Sequence, residues 1–560
     1  MFVKMSVIPG GKMGKVGKIN VKVGDIISSG DILAQVETAK GNRPIKATTD
    51  GMVSKTLCEE GGEIASNADM FEIAEILATD NLGDSFPEST PVKVQKEVST
   101  DVLIIGAGPG GYVAAIYAAK NGLKVTLVEK SELGGTCLNV GCIPTKALVK
   151  SSEVCHSVNN ASLFGIELEG NIVVNMKQVI DRKNRITERL VSGIDFLLKK
   201  NDIKVISGNA SFIDQNAILV KGNENNIIRA KDIIIATGSK ISKIAIPGMS
   251  LPCVMNSSEA LSHHELPKSI TIIGGGVIGM EFAFIYKNFG VDVHVVEFMD
   301  RLLTVVDSDL SKEIQDIAES EKIKIHTSSK VLKIQSTDDG TAIVTYEDKD
   351  GEHLLVSDKV LVAIGREPEL AGLSIENSGV LLNSTGKGIQ VDDAMRTNID
   401  HIYAIGDVTN IIQLAHVASH QGIVAVDNIL NKQNTMNYSA VPNVIFTAPE
   451  IASTGIGEDA AKANNMNISV SKFFFAGNGK ALTMNESSGF IKLIKDNETN
   501  KIIGGSIIGA DASSLISSLT LAIANKFTEK EITETIFPHP TTGEVIHEAA
   551  LDFGIGAFHQ

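Results

Sequence analysis

Along the first 77 residues, short runs of Val, Ile and Thr alternate with Gly and Asp, as in GKINVKVGDIISSGDILAQVE and GMVSKTLCEEGGEIASNADMFEIAE. Short β-branched runs punctuated by turn residues predict a small all-β domain of tight hairpins over 1–77. Between its halves, VETAKGNRPIKA puts Lys40 in the middle of a predicted turn. Over 78–98 the pattern lapses into the polar, proline-containing ATDNLGDSFPESTPVKVQKEV. Without a period it predicts a linker, roughly 25 Å in root-mean-square span.

At 101 a new pattern begins: apolar strand, glycine turn, small-residue helix, second apolar strand. DVLIIGAGPGGYVAAIYAAKNGLKVTLVEK carries it to Glu129, and ITIIGGGVIGMEFAFIYKNFGVDVHVVEF repeats it to Glu297. Both acids stand equally far from the first glycine of their run, 106 to 129 and 274 to 297. Gly106, Gly108 and Gly111 spell G-x-G-x-x-G, as do Gly274, Gly276 and Gly279. Glycine permits the tight turn there and lets the backbone approach a pyrophosphate at the helix N-terminus. A carboxylate ending the second strand accepts hydrogen bonds from ribose hydroxyls and repels a 2′-phosphate, so Glu297 favours NAD over NADP. The pattern thus predicts two α/β Rossmann-like dinucleotide folds. From about 441, GFIKLI, KIIGGSIIGA and a predicted helix over 513–525 give an α+β domain.

Composition adds boundaries to this picture. At 560 residues and 43% hydrophobic content the chain can bury several cores. Its formal charge of -16, without a Lys/Arg run, argues against nucleic acid or an anionic membrane as the main partner. The N-terminal MFVKMSVIPGGKMGKV has no signal-peptide core, and no stretch reaches a membrane span, so a cytoplasmic location is expected.

A cytosolic chain with five cysteines has no disulfide framework to build, so a close pair is either metal-binding or redox-active. GGTCLNVGCIP places Cys137 and Cys142 five positions apart, shortly after Glu129 and therefore at the first dinucleotide site. Two dinucleotide sites suggest one held flavin and one exchangeable nicotinamide, and a redox disulfide is useful against the flavin. IPTKALVKSSEV predicts a helix with Pro144 near its first turn, and a helix N-terminus lowers a thiol pKa. Half of a zinc site competes with this reading but lacks a second Cys/His pair, so no metal is expected; two inert core cysteines are the other alternative. Cys58, Cys155 and Cys253 are isolated packing residues. Thiol–disulfide exchange also needs a base, and FPHPTTGEVIHE offers His539 with Glu544 five positions on; His547 is a local competitor.

GGTCLNVGCIPTKAL, TIIGGGVIGMEF, IYAIGD and HPTTGE, in this order, resemble the flavin-dependent disulfide oxidoreductases, in particular their dihydrolipoamide-oxidising members. The resemblance implies an FAD-binding domain over 99–247 continued at 369–440, an NAD-binding domain over 248–368 and a dimerisation domain over 441–560. It implies that Gly106, Gly108, Gly111 and Glu129 hold the FAD adenosine and pyrophosphate, and that Asp407 meets the ribityl and pyrophosphate region. Lys146 would stand beside the flavin ring with Glu281 as its acidic partner. His539 would be the base and Glu544 the group that orients it, both reaching into the partner subunit's site of an obligate homodimer.

VETAKGN is similar to the hairpin of lipoyl domains, flattened β-barrels whose lysine carries lipoic acid in amide linkage, here Lys40. Ala39 stands where an aspartate commonly precedes that lysine, and Gly41 where alanine commonly follows it; Lys46 is a weaker alternative. The implied activity is oxidation of protein-bound dihydrolipoamide with NAD⁺. Its partner would be a lipoyl-bearing acyltransferase or carrier protein of a 2-oxoacid dehydrogenase, acetoin or glycine-cleavage complex. NADPH-linked glutathione-type reductases would want basic residues at Glu297, and mercuric reductase a cysteine pair near GIGAFHQ. From another class, the chain could be a lipoyl carrier or scaffold with secondary flavin chemistry.

Overall fold

The computed structural model describes residues 2–5, 13–22, 25–38, 41–49, 51–66, 68–74 and 96–559. It forms two compact units, Met1–Pro91 and Val92–Gln560.

In the first unit, the described residues form eight short strands in two four-stranded sheets. One runs in the order Phe2–Lys4, Asp69–Ala74, Gly51–Thr56, Ile26–Ile27, and the other Gly41–Lys46, Ile32–Thr38, Gly14–Ile19, Glu63–Ile64. Burial alternates along the strands, as period-two side chains require: Val53 is buried between exposed Met52 and half-buried Ser54. Val16, Leu33, Val36, Val53 and Phe71 share the core. Ile32–Thr38 and Gly41–Lys46 pair antiparallel with Thr38 opposite Gly41. Lys40 itself lies outside the described residues, as does most of the 78–98 linker. The end of that linker differs from expectation: the first strand of the second unit begins at Lys96, and Val98 pairs with Ile228 and is buried. Val98 is apolar and in register with the ladder, so 96–98 join the sheet.

The second unit opens with a sheet whose parallel strands run Lys204–Ser207, Val125–Glu129, Lys96–Ile105, Asn226–Ile235, with Ile402–Ala404 beyond. The small-residue helix Pro109–Lys120 buries Ala114, Ala115 and Ala118. It crosses Ala415–Ile429 closely enough that a Cβ on Gly422 would meet the Gly110 carbonyl oxygen at 2.9 Å.

The second dinucleotide fold repeats the design. Val254–Asn256, Lys359–Val362, Ser269–Ile273, Asp292–Val296 and Lys324–His326 form a five-stranded parallel sheet. Helix Val277–Asn288 follows its glycine turn, and a meander of Lys330–Ser336, Ala342–Asp348 and Gly351–Ser357 accompanies it. The chain crosses between the two folds by an antiparallel ribbon, Ser239–Ile241 outward and Arg366–Pro368 on return.

The last part is a five-stranded antiparallel sheet with helices Ala512–Ala524 and Glu544–Leu551. The strand Phe490–Asp496, next to the central strand Ile502–Gly509, carries Lys492, whose fully buried ammonium meets Asp307 and Asp309 at 2.8 Å and Glu458 at 3.0 Å. A charge removed from water needs such partners, and these clamp the sheet onto the second dinucleotide fold.

Candidate active site

The two glycine turns are built on one plan. Gly106 and Gly274 each have φ +108°, and a Cβ there would lie 2.2 Å from the Ala236 oxygen and 2.5 Å from the Ala363 oxygen. A Cβ on Gly111 would meet the Gly106 oxygen at 1.8 Å, and one on Gly279 the Gly274 oxygen at 1.9 Å. The first and third glycines therefore serve the turn and the helix–strand contact. Around Gly108 and Gly276 nothing lies within 4 Å of a built Cβ, so the backbone there is open to a ligand. Each acid braces its own turn. Glu129 Oε2 accepts from Ala107 N at 2.6 Å and Oε1 from Ser131 N at 2.9 Å; Glu297 Oε2 accepts from Gly275 N at 2.5 Å and Oε1 from Met299 N at 2.7 Å. A carboxylate oxygen has a second lone pair, which leaves both acids able to accept from a ribose hydroxyl.

One cavity of about 2090 Å³ contains both turns, Glu129, Glu297, Cys137, Cys142, Lys146, Glu281 and Asp407. Single-ligand pockets are typically about 300–1,000 Å³, so this space suits two dinucleotides. The bare backbone at Gly108 and Gly276, each at the N-terminus of a helix, fits two pyrophosphates.

The cysteines occupy the two ends of a short segment. Cys137 lies in helix Gly135–Asn139 and Cys142 is the first residue of helix Cys142–Asn159. A Cβ on Gly141 would meet the Thr136 oxygen at 2.8 Å, so glycine is what lets the segment fold back and bring the thiols together. The hydrogen bond from Cys137 pulls the Cys142 thiol down to about 7 against the burial that pushes it up, and Lys146 helps while Glu281 opposes. The same hydrogen bond and burial hold Cys137 well above the ordinary thiol range. The pair is polarised: Cys142 ionises first, while Cys137 holds its proton.

Lys146 Nζ donates to both oxygens of Glu281 at 2.9 and 3.0 Å. Glu281 is only 4% exposed, and its Oε1 also accepts from Phe446 N at 3.0 Å. The Lys146 ammonium stands 4.3 Å from the centre of the Phe446 ring.

His539 and Glu544 are placed together and apart from the thiols. His539 Nδ1 meets Glu544 Oε1 at 2.9 Å, and Glu544 Oε2 accepts from Thr541 N at 3.0 Å. Burial raises Glu544, but Thr541 and His539 outweigh it and hold the carboxyl below its usual range. Neither residue lines the cavity, and the His539 side chain is 80% exposed, so the base faces outward from its own chain. His547 contacts the Thr533 carbonyl and the Phe537 ring instead, a packing role.

Cys253 is buried, while Cys58 and Cys155 are half-buried. Among the described residues no group of three His, Cys, Asp or Glu side chains could hold a metal, and no helix is long and apolar enough to cross a membrane.

Two features escaped the sequence reading. Arg366 enters the cavity from the ribbon and hydrogen-bonds Thr136 and Ser239, and Ser239 Oγ donates to Asp407 Oδ2 at 2.5 Å. Beside Glu297, whose N–H donates to the His326 carbonyl at 2.8 Å, the rings of His294 and His326 stack with their nitrogens 3.3 Å apart. No local motif announces either one, because every partner comes from a distant segment.

Comparison with known proteins agrees with this geometry. The model described as pyridine nucleotide-disulphide oxidoreductase matches residues 100–422, its dimerisation domain 441–550, and the model described as biotin-requiring enzyme 6–73. A dihydrolipoyl dehydrogenase of Bacillus subtilis (strain 168) is 42% identical over 474 residues, covering 82% of this chain and 99% of that protein. Among solved structures, LpdA from Mycobacterium tuberculosis superposes with TM-score 0.75 at 26% identity, covering 81% of this chain and 100% of that one. The HOCl-induced flavoprotein disulfide reductase RclA from Escherichia coli gives 0.72 at 30%, covering 80% and 99%.

Proposed function

Given that the chain belongs to the pyridine nucleotide-disulphide oxidoreductase family, we infer that it is an FAD-dependent enzyme that oxidises protein-bound dihydrolipoamide to lipoamide with NAD⁺. The observation that carries the reading is the polarised Cys137–Cys142 pair in one cavity with two open glycine turns. When bound, FAD carries the two electrons of the dithiol to NAD⁺. The chain's own residues do the rest. Gly106, Gly108, Gly111 and Glu129 hold the FAD adenosine end, Asp407 and Lys146 its flavin end, and Gly274, Gly276, Gly279 and Glu297 hold NAD.

In the oxidised enzyme, where Cys137 and Cys142 are bridged, a substrate thiolate attacks Cys137 and Cys142 departs as the thiolate. The lower-pKa sulfur is the better leaving group, which agrees with the polarity of the reduced pair. His539, oriented by Glu544, takes the proton of the attacking thiol; the substrate's second sulfur then attacks the mixed disulfide, closing lipoamide and releasing Cys137, which keeps the second thiol's proton. Because His539 faces away from its own thiols, the base at each site comes from the partner subunit of a homodimer, held by the dimerisation domain.

The N-terminal unit carries covalent lipoic acid, and we place it on Lys40. The domain limits follow the sequence reading at 1–77 for the lipoyl domain, 78–98 for the linker, and 99–247, 248–368, 369–440 and 441–560 for the FAD, NAD, central and dimerisation parts, except that 96–98 belong with the FAD sheet. The external partner is the lipoyl-bearing acyltransferase or carrier protein of a multienzyme complex. We place the protein in the cytoplasm, the setting the sequence reading expects.

Steady-state NADH formation from free dihydrolipoamide by the FAD-loaded dimer tests the activity. Turnover is expected; its absence in a fully loaded dimer would leave the lipoyl carrier reading instead. Intact mass and peptide mapping across Lys40 from a lipoylation-competent source test the attachment.

A further inference from the structure

Arg366 stands at the junction of three parts of the molecule. It begins the strand Arg366–Pro368 that returns the chain from the second dinucleotide fold to the first. Its Nε donates to Ser239 Oγ at 2.8 Å, and Nη2 donates both to the Ser239 carbonyl at 2.6 Å and to Thr136 Oγ1 at 3.1 Å. Thr136 immediately precedes Cys137, and Ser239 Oγ donates a hydrogen bond to Asp407 Oδ2 at 2.5 Å. The guanidinium thus ties the redox segment to the far wall of the flavin cradle across 230 residues of sequence.

We propose that Arg366 is a positioning residue for the redox segment, fixing Thr136 against the Ser239–Asp407 wall and holding a positive charge toward Cys142. Burial lowers the Arg366 pKa, while Asp407 and a Cys142 thiolate both raise it, so the guanidinium lies within electrostatic reach of that sulfur. The charges around Cys142 are Lys146 on its own helix, Glu281 from helix Val277–Asn288, and Arg366 from the ribbon. Lys146 is already neutralised by Glu281 at 2.9 Å. Arg366 meets Asp407 through Ser239 rather than directly. A planar fork fits this place because it makes contacts in different directions from one rigid plane; an ammonium would keep the charge and lose the geometry.

The inference rests on the disulfide oxidoreductase reading, and the experiment keeps the two apart. Wild-type dimer is first shown to form NADH from dihydrolipoamide; failure at that step counts against the activity, not against Arg366. Reduced, FAD-loaded wild type, Arg366→Met, Arg366→Lys and Thr136→Val are then alkylated with iodoacetamide across pH, with peptide mass mapping to separate Cys137 from Cys142.

In Arg366→Met the Cys142 midpoint is expected to rise by about one pH unit, as loss of a neighbouring opposite charge does. Arg366→Lys should recover most of that midpoint yet release FAD about 10-fold faster, since hydrogen bonds to a charged donor are lost. Thr136→Val cuts only the link to the redox segment and should raise the midpoint by a smaller amount with FAD retained. It carries the test alone if Arg366→Met fails to load. A Cys142 midpoint unchanged from wild type in every variant that loads FAD would overturn the proposal.

Discussion

Lys146 and Glu281 meet at 2.9 Å although 135 residues separate them, one on the helix that begins at Cys142 and the other on the helix that follows the second glycine turn. The pair joins the thiol segment to the NAD side of the cavity, and its two members act on Cys142 with opposite signs.

That opposition gives a paired expectation. Lys146→Met should raise the Cys142 midpoint and Glu281→Gln should lower it, each by up to about one unit. Glu281→Gln should also cost about 2 kcal/mol, below the usual penalty for breaking a buried pair because Lys146 retains some contact with water. Alkylation profiles read the first effect and thermal melts the second. Shifts in the same direction for both variants would contradict the geometry.

The exposed base sets a second expectation. His539→Gln should lower kcat/KM for dihydrolipoamide by about 10²–10⁴, the usual worth of a positioned general base, with FAD content and dimerisation unchanged. Glu544→Gln should cost less, since Thr541 still fixes the loop through its own hydroxyl bond to Pro538 at 2.8 Å. Mixed dimers of His539→Gln with a Cys137→Ser chain decide the subunit question. Sharing of the base across the interface predicts one active site per mixed dimer, whereas two self-contained sites would leave none.

Gly111 and Gly279 separate the two cofactors. A methyl group at either would collide with backbone under 2 Å away, in one half only. Gly279→Ala should keep FAD and raise the KM for NAD⁺ at least about 10-fold, while Gly111→Ala should lose FAD, because overpacking a rigid contact costs about 1–3 kcal/mol. Flavin absorbance after desalting checks both; Gly279→Ala protein without flavin would reverse the assignment of the two sites.

What the sequence made legible was local. Gly106–Gly111 and Gly274–Gly279 declare themselves because turn, cradle and helix contact fall within six consecutive residues, and each acid follows one helix and one strand later. Cys137 and Cys142 were legible for the same reason, their segment closing on itself through Gly141. Arg366, Lys492 and the His294–His326 pair were not. Each draws its meaning from partners on other strands, and nothing in VAIGREP or GFIKLI marks Arg366 as bound to Thr136 or Lys492 as wholly buried. The outward His539 was legible as a candidate from its carboxylate five positions on, but its distance from the thiols is a matter of tertiary placement.

The histidine pair yields the last expectation, in acid. Burial pushes His294 and His326 below the ordinary imidazole value of 6.5, and Lys324, 3.2 Å from His294 Nε2, pushes in the same direction. The other groups facing them are Asp292 on the same strand and, from the meander, Tyr346, Asp348 and His353. Of these Asp292, 2.9 Å from Lys324 and 3.7 Å from His294, and Asp348 push the imidazoles up, but burial is the larger cause. Because the folded pKa is depressed, the unfolded chain takes up protons first as pH falls. The stability this burial permits is therefore complete above about pH 6.5 and declines below it until the folded imidazoles titrate in turn. Each histidine can contribute at most about 1.4 kcal/mol per pH unit in that window. A His294→Thr, His326→Asn variant should accordingly lose less thermal stability than wild type between about pH 7.5 and 5.5. Melting curves that fall in parallel over that range would show that acid sensitivity resides elsewhere in the molecule.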